Sequence, residues 1–122
     1  GTDVPVNFVP GMPDSVEGII NLRGDVESVI RLHPLLQIPP LAIEQQTGSR
    51  ILMCQAADIS TGIRIDALHD VTDISETELK PPPDSLPDAL KPYVTALLSY
   101  KQWTVAVLDL DMLLQHWRQQ NR

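Results

Sequence analysis

From residue 16 onward the apolar positions come in short runs broken by turn residues, and most of the runs alternate instead of repeating at helical spacing. Val16–Leu22 is apolar and β-branched, Arg23-Gly24-Asp25 is turn material, and residues 26–32 return, so this stretch reads as two strands folded back on each other. On the return strand Val26, Ser28, Ile30 and Leu32 share one face and Glu27, Val29 and Arg31 share the other. That is the two-residue period of a strand with one packed and one wetted face. His33-Pro34 ends the strand, because proline has no amide to donate to a ladder and restricts the residue before it.

On either side of this hairpin the pattern is less regular. Residues 1–14 carry three prolines and two glycines among scattered apolar residues and read as an extended approach. After the hairpin, residues 34–36 offer one helical turn before Pro39-Pro40, and residues 45–50 are a polar loop. Residues 51–55 (ILMCQ) form a continuous apolar run that fits a buried strand, although periodicity alone does not separate that from a helix. Residues 58–62 are turn material. In residues 62–67 Ile63, Ile65 and Ala67 alternate with Arg64, Asp66 and then Leu68, which predicts a strand, and residues 71–74 predict another short one. Ser75 and Glu78 have capping-box spacing.

Residues 80–92 contain Pro81, Pro82, Pro83, Pro87 and Pro92, so the segment is neither a helix interior nor a central strand and must cross the surface. Residues 93–98 and Trp103–Leu108 read as two strands joined around Tyr100-Lys101-Gln102. The chain closes in a helix. Asp109 suits its N-cap, and Leu110, Leu113, Leu114 and Trp117 form one apolar stripe, with Arg118 and Arg122 toward its C-terminal end. Short strands, frequent turns and one terminal helix place the chain in the all-β barrel or sandwich class.

Composition narrows what such a domain can do. A chain of 122 residues is one domain's worth, and with two tryptophans, two tyrosines and one phenylalanine its core must be built from aliphatic residues. The formal net charge of −7 argues against nucleic acid and against insertion at an anionic membrane, both of which select basic patches, and favours a protein partner. The single cysteine, Cys54, forms no internal disulfide and sits in an apolar run, as expected of a small buried thiol in a reducing cytoplasm. No run approaches the ~20 apolar residues of a membrane span, and no signal segment opens the chain. Gly1 in place of an initiator methionine reads as the cut end of something longer.

Catalytic and cofactor chemistry finds little support. His33, His69 and His116 stand far apart in sequence, none in metal-ligand spacing, and Cys54 has no CxxC partner, so neither a metal nor a cofactor is expected. A Cys54-histidine dyad would need an exposed, electropositive thiol. Asp58, Asp66, Asp70 and Asp73 read as solvated faces, and no GxSxG, P-loop or dinucleotide fingerprint is present.

Pro13, Val16, Gly18, Asn21-Leu22-Arg23-Gly24, then Val29-Ile30 and Leu32 with the Leu-Leu pair after it, resemble the central hairpin of CheW-like domains, the coupling modules of bacterial chemotaxis arrays. The resemblance continues through Ile65-Asp66, the proline-containing loop, Val107-Leu108-Asp109 and Leu113-Leu114, so it spans nearly all of the chain. It departs at Ser28 and Arg31, where the family usually has proline and aspartate, and at the last hairpin, which has no glycine at its turn. It also departs at the front, where family members carry two further strands. The resemblance implies an all-β fold of two small five-stranded β-barrels side by side, the first short of strands, with a short C-terminal helix. In that frame residues 1–15 are the approach, 16–40 the central hairpin of the first barrel, 41–109 the remaining strands, mainly of the second barrel, and 110–122 the helix.

The function it implies is a non-catalytic cytoplasmic adaptor that couples a chemoreceptor's cytoplasmic tip to the regulatory domain of a histidine kinase. Gly18, Asn21, Leu22, Arg23 and Gly24 are then the partner-binding residues. Arg23 stands out among them, since a guanidinium at a hairpin turn can fork onto a carboxylate, and Gly24 is expected to need a positive φ. The alternative is a barrel that binds a small molecule between its lobes. An open first barrel leaves an unpaired strand edge, which predicts a homodimer or higher oligomer.

Overall fold

The computed structural model describes residues 4–121; Gly1 and Arg122, on which two expectations fall, lie outside the described residues. The central hairpin is β1 (Val16–Leu22) and β2 (Asp25–Arg31), with Leu22 opposite Asp25. Its connection is two residues long. Arg23 (φ 54°) and Gly24 (φ 88°) both adopt the left-handed conformation, whose local twist matches that of paired antiparallel strands. The strand ends one residue earlier than expected, because Leu32 already belongs to a one-turn helix α1 (Leu32–Leu36) that Gln37 terminates in the left-handed conformation.

β3 (Arg50–Ala56) and β4 (Ile59–Ile65) form a second hairpin, and β4 lies parallel to β2, giving a sheet of order β1-β2-β4-β3. The turn between them is Ala57-Asp58, both at positive φ, so Ile59 to Gly62 belong to the strand and not to the expected turn. β5 (Leu79–Lys80), β6 (Val94–Tyr100) and β7 (Trp103–Leu108) make a second sheet, and α2 (Leu110–Gln120) follows. Among the described residues the two sheets hold four and three strands and neither closes into a five-stranded barrel.

Two further expectations are corrected. Residues 71–74 are not a strand: Val71 is 84% exposed, and the two residues just before the segment are held by side chains instead, with the Tyr100 hydroxyl donating to the Asp70 carboxylate and the His69 ring tilted against that of Trp103 at 4.9 Å. Residues 51–55 do form a strand, but on the sheet's margin, where Leu52 and Met53 remain exposed.

β2 does not keep one wet face. Val29 and Ile30 point to opposite sides, yet both are fully buried, because β2 is flanked by β1 and β4 and each side of the sheet is covered. A bulge at Glu17 lets this happen: Val16 opposes Ile30 and Gly18 opposes Val29, so β1 sends Val16 to one face and Gly18 and Ile20 to the other. The first face carries the main core, in which Val16, Ile30, Ile59 and Ile63 meet Leu36, Tyr93, Leu113 and Leu114. Thr61, with no exposed surface there, shares a 2.8 Å hydrogen bond with the Ser28 hydroxyl, so its burial leaves no polar group unmatched. On the second face the N-terminal segment runs past β1, and Asn7 exchanges two backbone hydrogen bonds of 2.8 and 2.9 Å with Ile19.

α2 forms where its stripe predicts. The Asp109 carboxylate accepts from the Met112 amide at 3.0 Å, Leu113 and Leu114 are buried, and Leu110 and Trp117 pack at the margin of the same core. The Trp117 indole donates to the Ser15 hydroxyl at 3.1 Å, joining the last helix to the foot of the first strand.

Candidate protein-interaction site

The tip of the central hairpin gathers three of the five residues singled out above. Asn21, Arg23 and Gly24 are all exposed, and the Asn21 carboxamide oxygen accepts from the Gly24 amide at 3.0 Å. That bond satisfies a turn amide inside the loop and holds the two left-handed residues in place. The Arg23 guanidinium therefore stands on a fixed base and projects into solvent, presenting five N–H donors to an incoming carboxylate or carbonyl. Leu22, half-buried at the end of β1, forms the foot of this tip. Gly18 lies elsewhere: it is buried in mid-strand under the N-terminal segment, where a Cβ would press on the Asn7 carbonyl and stand 2.8 Å from Val6 Cγ1. Its part is to admit that segment.

A second feature was not visible in sequence. The Arg64 guanidinium reaches across β2 and forks onto Glu17, with Nε 2.9 Å from Oε1 and Nη2 2.7 Å from Oε2. The pair links β4 to the bulge in β1 across 47 positions of chain, a separation that local pattern cannot bridge. It lines a cleft of about 610 Å³ together with Arg31, His33, Pro39 and Asp66. The hydrogen bonds from Arg64 hold the Glu17 carboxyl below its ordinary value, against the opposing effect of burial. Glu17 thus contributes stability that is complete above the ordinary glutamate range and is lost as pH falls through the lowered pKa. Replacing Arg64 by Met should cost about 1 kcal/mol at pH 7, and the difference from wild type should narrow as pH falls below the ordinary glutamate range in urea titrations carried down into acid. A constant gap at all pH values would show that the pair contributes packing alone.

Cys54, expected as a small buried thiol, is covered only in part. It is half-buried against the core, and burial pushes its pKa up, away from the thiolate a nucleophile needs. His116 is engaged by the Tyr93 hydroxyl, 2.9 Å from Nδ1. Among the described residues no three His, Cys, Asp or Glu side chains are placed to hold a metal ion, and no helix is long and apolar enough to cross a membrane.

The model of the CheW-like domain family matches residues 4–118. The chain belongs to that family. Its CheW relatives include the chemotaxis protein CheW of Bacillus subtilis strain 168, 28% identical over 106 residues that cover 87% of this chain and 67% of the relative. The Rhizobium meliloti chemotaxis protein CheW is 26% identical, covering 88% of this chain and 68% of its own length. The Helicobacter pylori CheW is 35% identical over a shorter stretch, 69% of this chain and 51% of the relative. Among solved structures, the CheW scaffolding protein TtCheW of Thermoanaerobacter tengcongensis superposes with a TM-score of 0.75 at 28% identity, covering 93% of this chain and 75% of that one. Two sheets and a short C-terminal helix thus match the CheW scaffold fold.

Proposed function

We propose that this chain is a single CheW-like domain acting as a non-catalytic adaptor, coupling a chemoreceptor's cytoplasmic tip to the regulatory domain of a histidine kinase in the cytoplasm. The observation that carries the reading is the family match along nearly the whole chain, to relatives named as chemotaxis proteins and to a solved scaffolding protein. The hairpin tip supports the partner-binding part: Arg23 is exposed on a turn stiffened by the Asn21 bond, with Leu22 beside it, and Gly18 keeps the strand beneath it packed. Two further parts of the reading are proposals in the same sense. Each open sheet belongs to a five-stranded barrel, and the chain self-associates.

Pull-down of the domain with a receptor cytoplasmic fragment, and separately with a kinase regulatory domain, tests the adaptor role. Arg23→Ala should weaken capture of the receptor fragment by at least about tenfold, since losing a charge-assisted contact at an interface costs about 2 kcal/mol or more. Its melting curve should stay within about 0.5 kcal/mol of wild type, because the residue is exposed. Equal capture by both proteins removes Arg23 from the interface.

An apolar groove of about 890 Å³, walled by Leu68, Ile74, Leu98, Trp103 and Val105, supports the second reading, a small-molecule site. A thermal-shift screen separates the two: a saturating ligand raises the melting temperature by mass action only if that groove binds it.

A further inference from the structure

In the parallel ladder between β2 and β4, Arg31 stands directly opposite Arg64. Opposed residues of a sheet share a face, so two guanidiniums lie side by side, an arrangement that costs free energy unless an anion sits between them. Glu17 is that anion, but Arg64 takes both of its oxygens, through Nε and Nη2. Arg31 reaches Glu17 only through its field. Among the described residues the Arg31 guanidinium has neither a hydrogen bond nor an ion pair, although the residue is half-buried. Asp66, at the bend that follows β4, is exposed and likewise makes no ion pair among the described residues. Both residues line the 610 Å³ cleft, whose apolar side is made by Leu36, Ile38, Pro39 and Pro40.

The permanent charges around the cleft are thus one matched pair, Glu17 with Arg64, and two unmatched groups of opposite sign, Arg31 and Asp66. An anion alone would satisfy Arg31 and face the Asp66 carboxylate. A cation alone would satisfy Asp66 and crowd the two guanidiniums. A ligand that carries both charges matches both groups, and the volume lies within the roughly 300–1,000 Å³ of small-molecule sites. We propose that the cleft binds a small zwitterion with an apolar body, an aliphatic amino acid or a dipeptide of two such residues. Arg31 forks onto its carboxylate, Asp66 accepts from its ammonium, and its side chains lie against Ile38 and Pro39. Proline's locked φ makes that apolar wall stiff before anything binds. The assignment is independent of the adaptor role and concerns a different place from the apolar groove beside Trp103.

Isothermal titration calorimetry of the whole chain with leucine and with leucyl-leucine should give saturable binding. Leucinamide keeps the ammonium and lacks the carboxylate; N-acetyl-leucine keeps the carboxylate and lacks the ammonium. Each should bind at least about tenfold more weakly than leucine, since each leaves one charged group of the cleft unpaired. Tighter binding of leucyl-leucine assigns the dipeptide, and equal or weaker binding assigns the free amino acid. Arg31→Gln should erase the preference for leucine over leucinamide, and Asp66→Asn the preference over N-acetyl-leucine, each leaving the other preference in place. Asp66 is exposed, so its variant keeps the test decisive even if Arg31→Gln disturbs the fold. Absence of binding by both probes at about 1 mM overturns the inference. Binding at wild-type strength in the two charge variants also overturns it, because the probe would then sit elsewhere.

Discussion

Leu114→Ala should cost the domain about 2 to 5 kcal/mol of unfolding free energy, while its neighbour Gln115→Ala should change it by less than about 0.5 kcal/mol. Leu114 has no exposed surface and stands in the cluster that joins Ile30 and Ile63 of the four-stranded sheet to Tyr93 and Leu113. Truncating it removes transfer energy and also leaves a hole that the sheet on one side and the helix on the other cannot both close. Gln115, one position on, points to solvent. Urea unfolding followed by circular dichroism measures both, and similar losses for the two would mean that the helix presents another face to the core.

Gly18→Val is the second large effect, with an expected loss of about 2 to 4 kcal/mol. What blocks the new side chain is backbone: the Asn7 carbonyl lies against the position its Cβ would take, and Val6 Cγ1 is 2.8 Å away. A flexible side chain could swing aside, but this segment can yield only by lifting off β1, which breaks both Asn7–Ile19 hydrogen bonds and opens the face on which Ile20 and Val29 are buried. Limited proteolysis within residues 4–14 should therefore accelerate together with the loss in stability. Gly24→Ala offers the contrast. Nothing stands within 4 Å of its Cβ, but φ is +88°, so the cost is the left-handed conformation itself, about 1 to 2 kcal/mol, without any release of the N-terminal segment. If Gly18→Val were no worse than Gly24→Ala, and the segment no easier to cleave, the close approach would carry no energy.

Those two glycines also mark how far sequence reasoning reached. Gly24 was legible because a two-residue turn states its own conformational demand, and the terminal helix was legible because its N-cap and its apolar stripe are both local patterns. Gly18 could be singled out as a point of close approach, but not what approaches it, since the answer lies eleven positions upstream in a stretch with no periodicity. The reading of β2 as wet on one side failed for a related reason: alternation identifies a strand, but whether both faces are covered depends on a bulge in its neighbour and on a parallel partner more than thirty residues away. Residues 71–74 look like a strand in composition, yet Tyr100 and Trp103 hold their surroundings through side chains, which leaves no ladder to join. Of the candidate site, the turn and its arginine followed from local rules. The Asn21 bond that steadies them, and the Glu17–Arg64 pair, exist only once the strands have paired.

The hydrogen bond between Trp117 and Ser15 spans 102 positions of chain. During synthesis both hairpins of the four-stranded sheet emerge early and can pair at once, but the face they share stays bare until Leu113, Leu114 and Trp117 have left the ribosome. Until that helix has emerged the nascent chain therefore carries an uncovered aliphatic sheet, and the face closes in one late step instead of gradually. A chain cut before Leu113 would then have its strands formed but no lid on its core, a species for chaperones and proteases to handle.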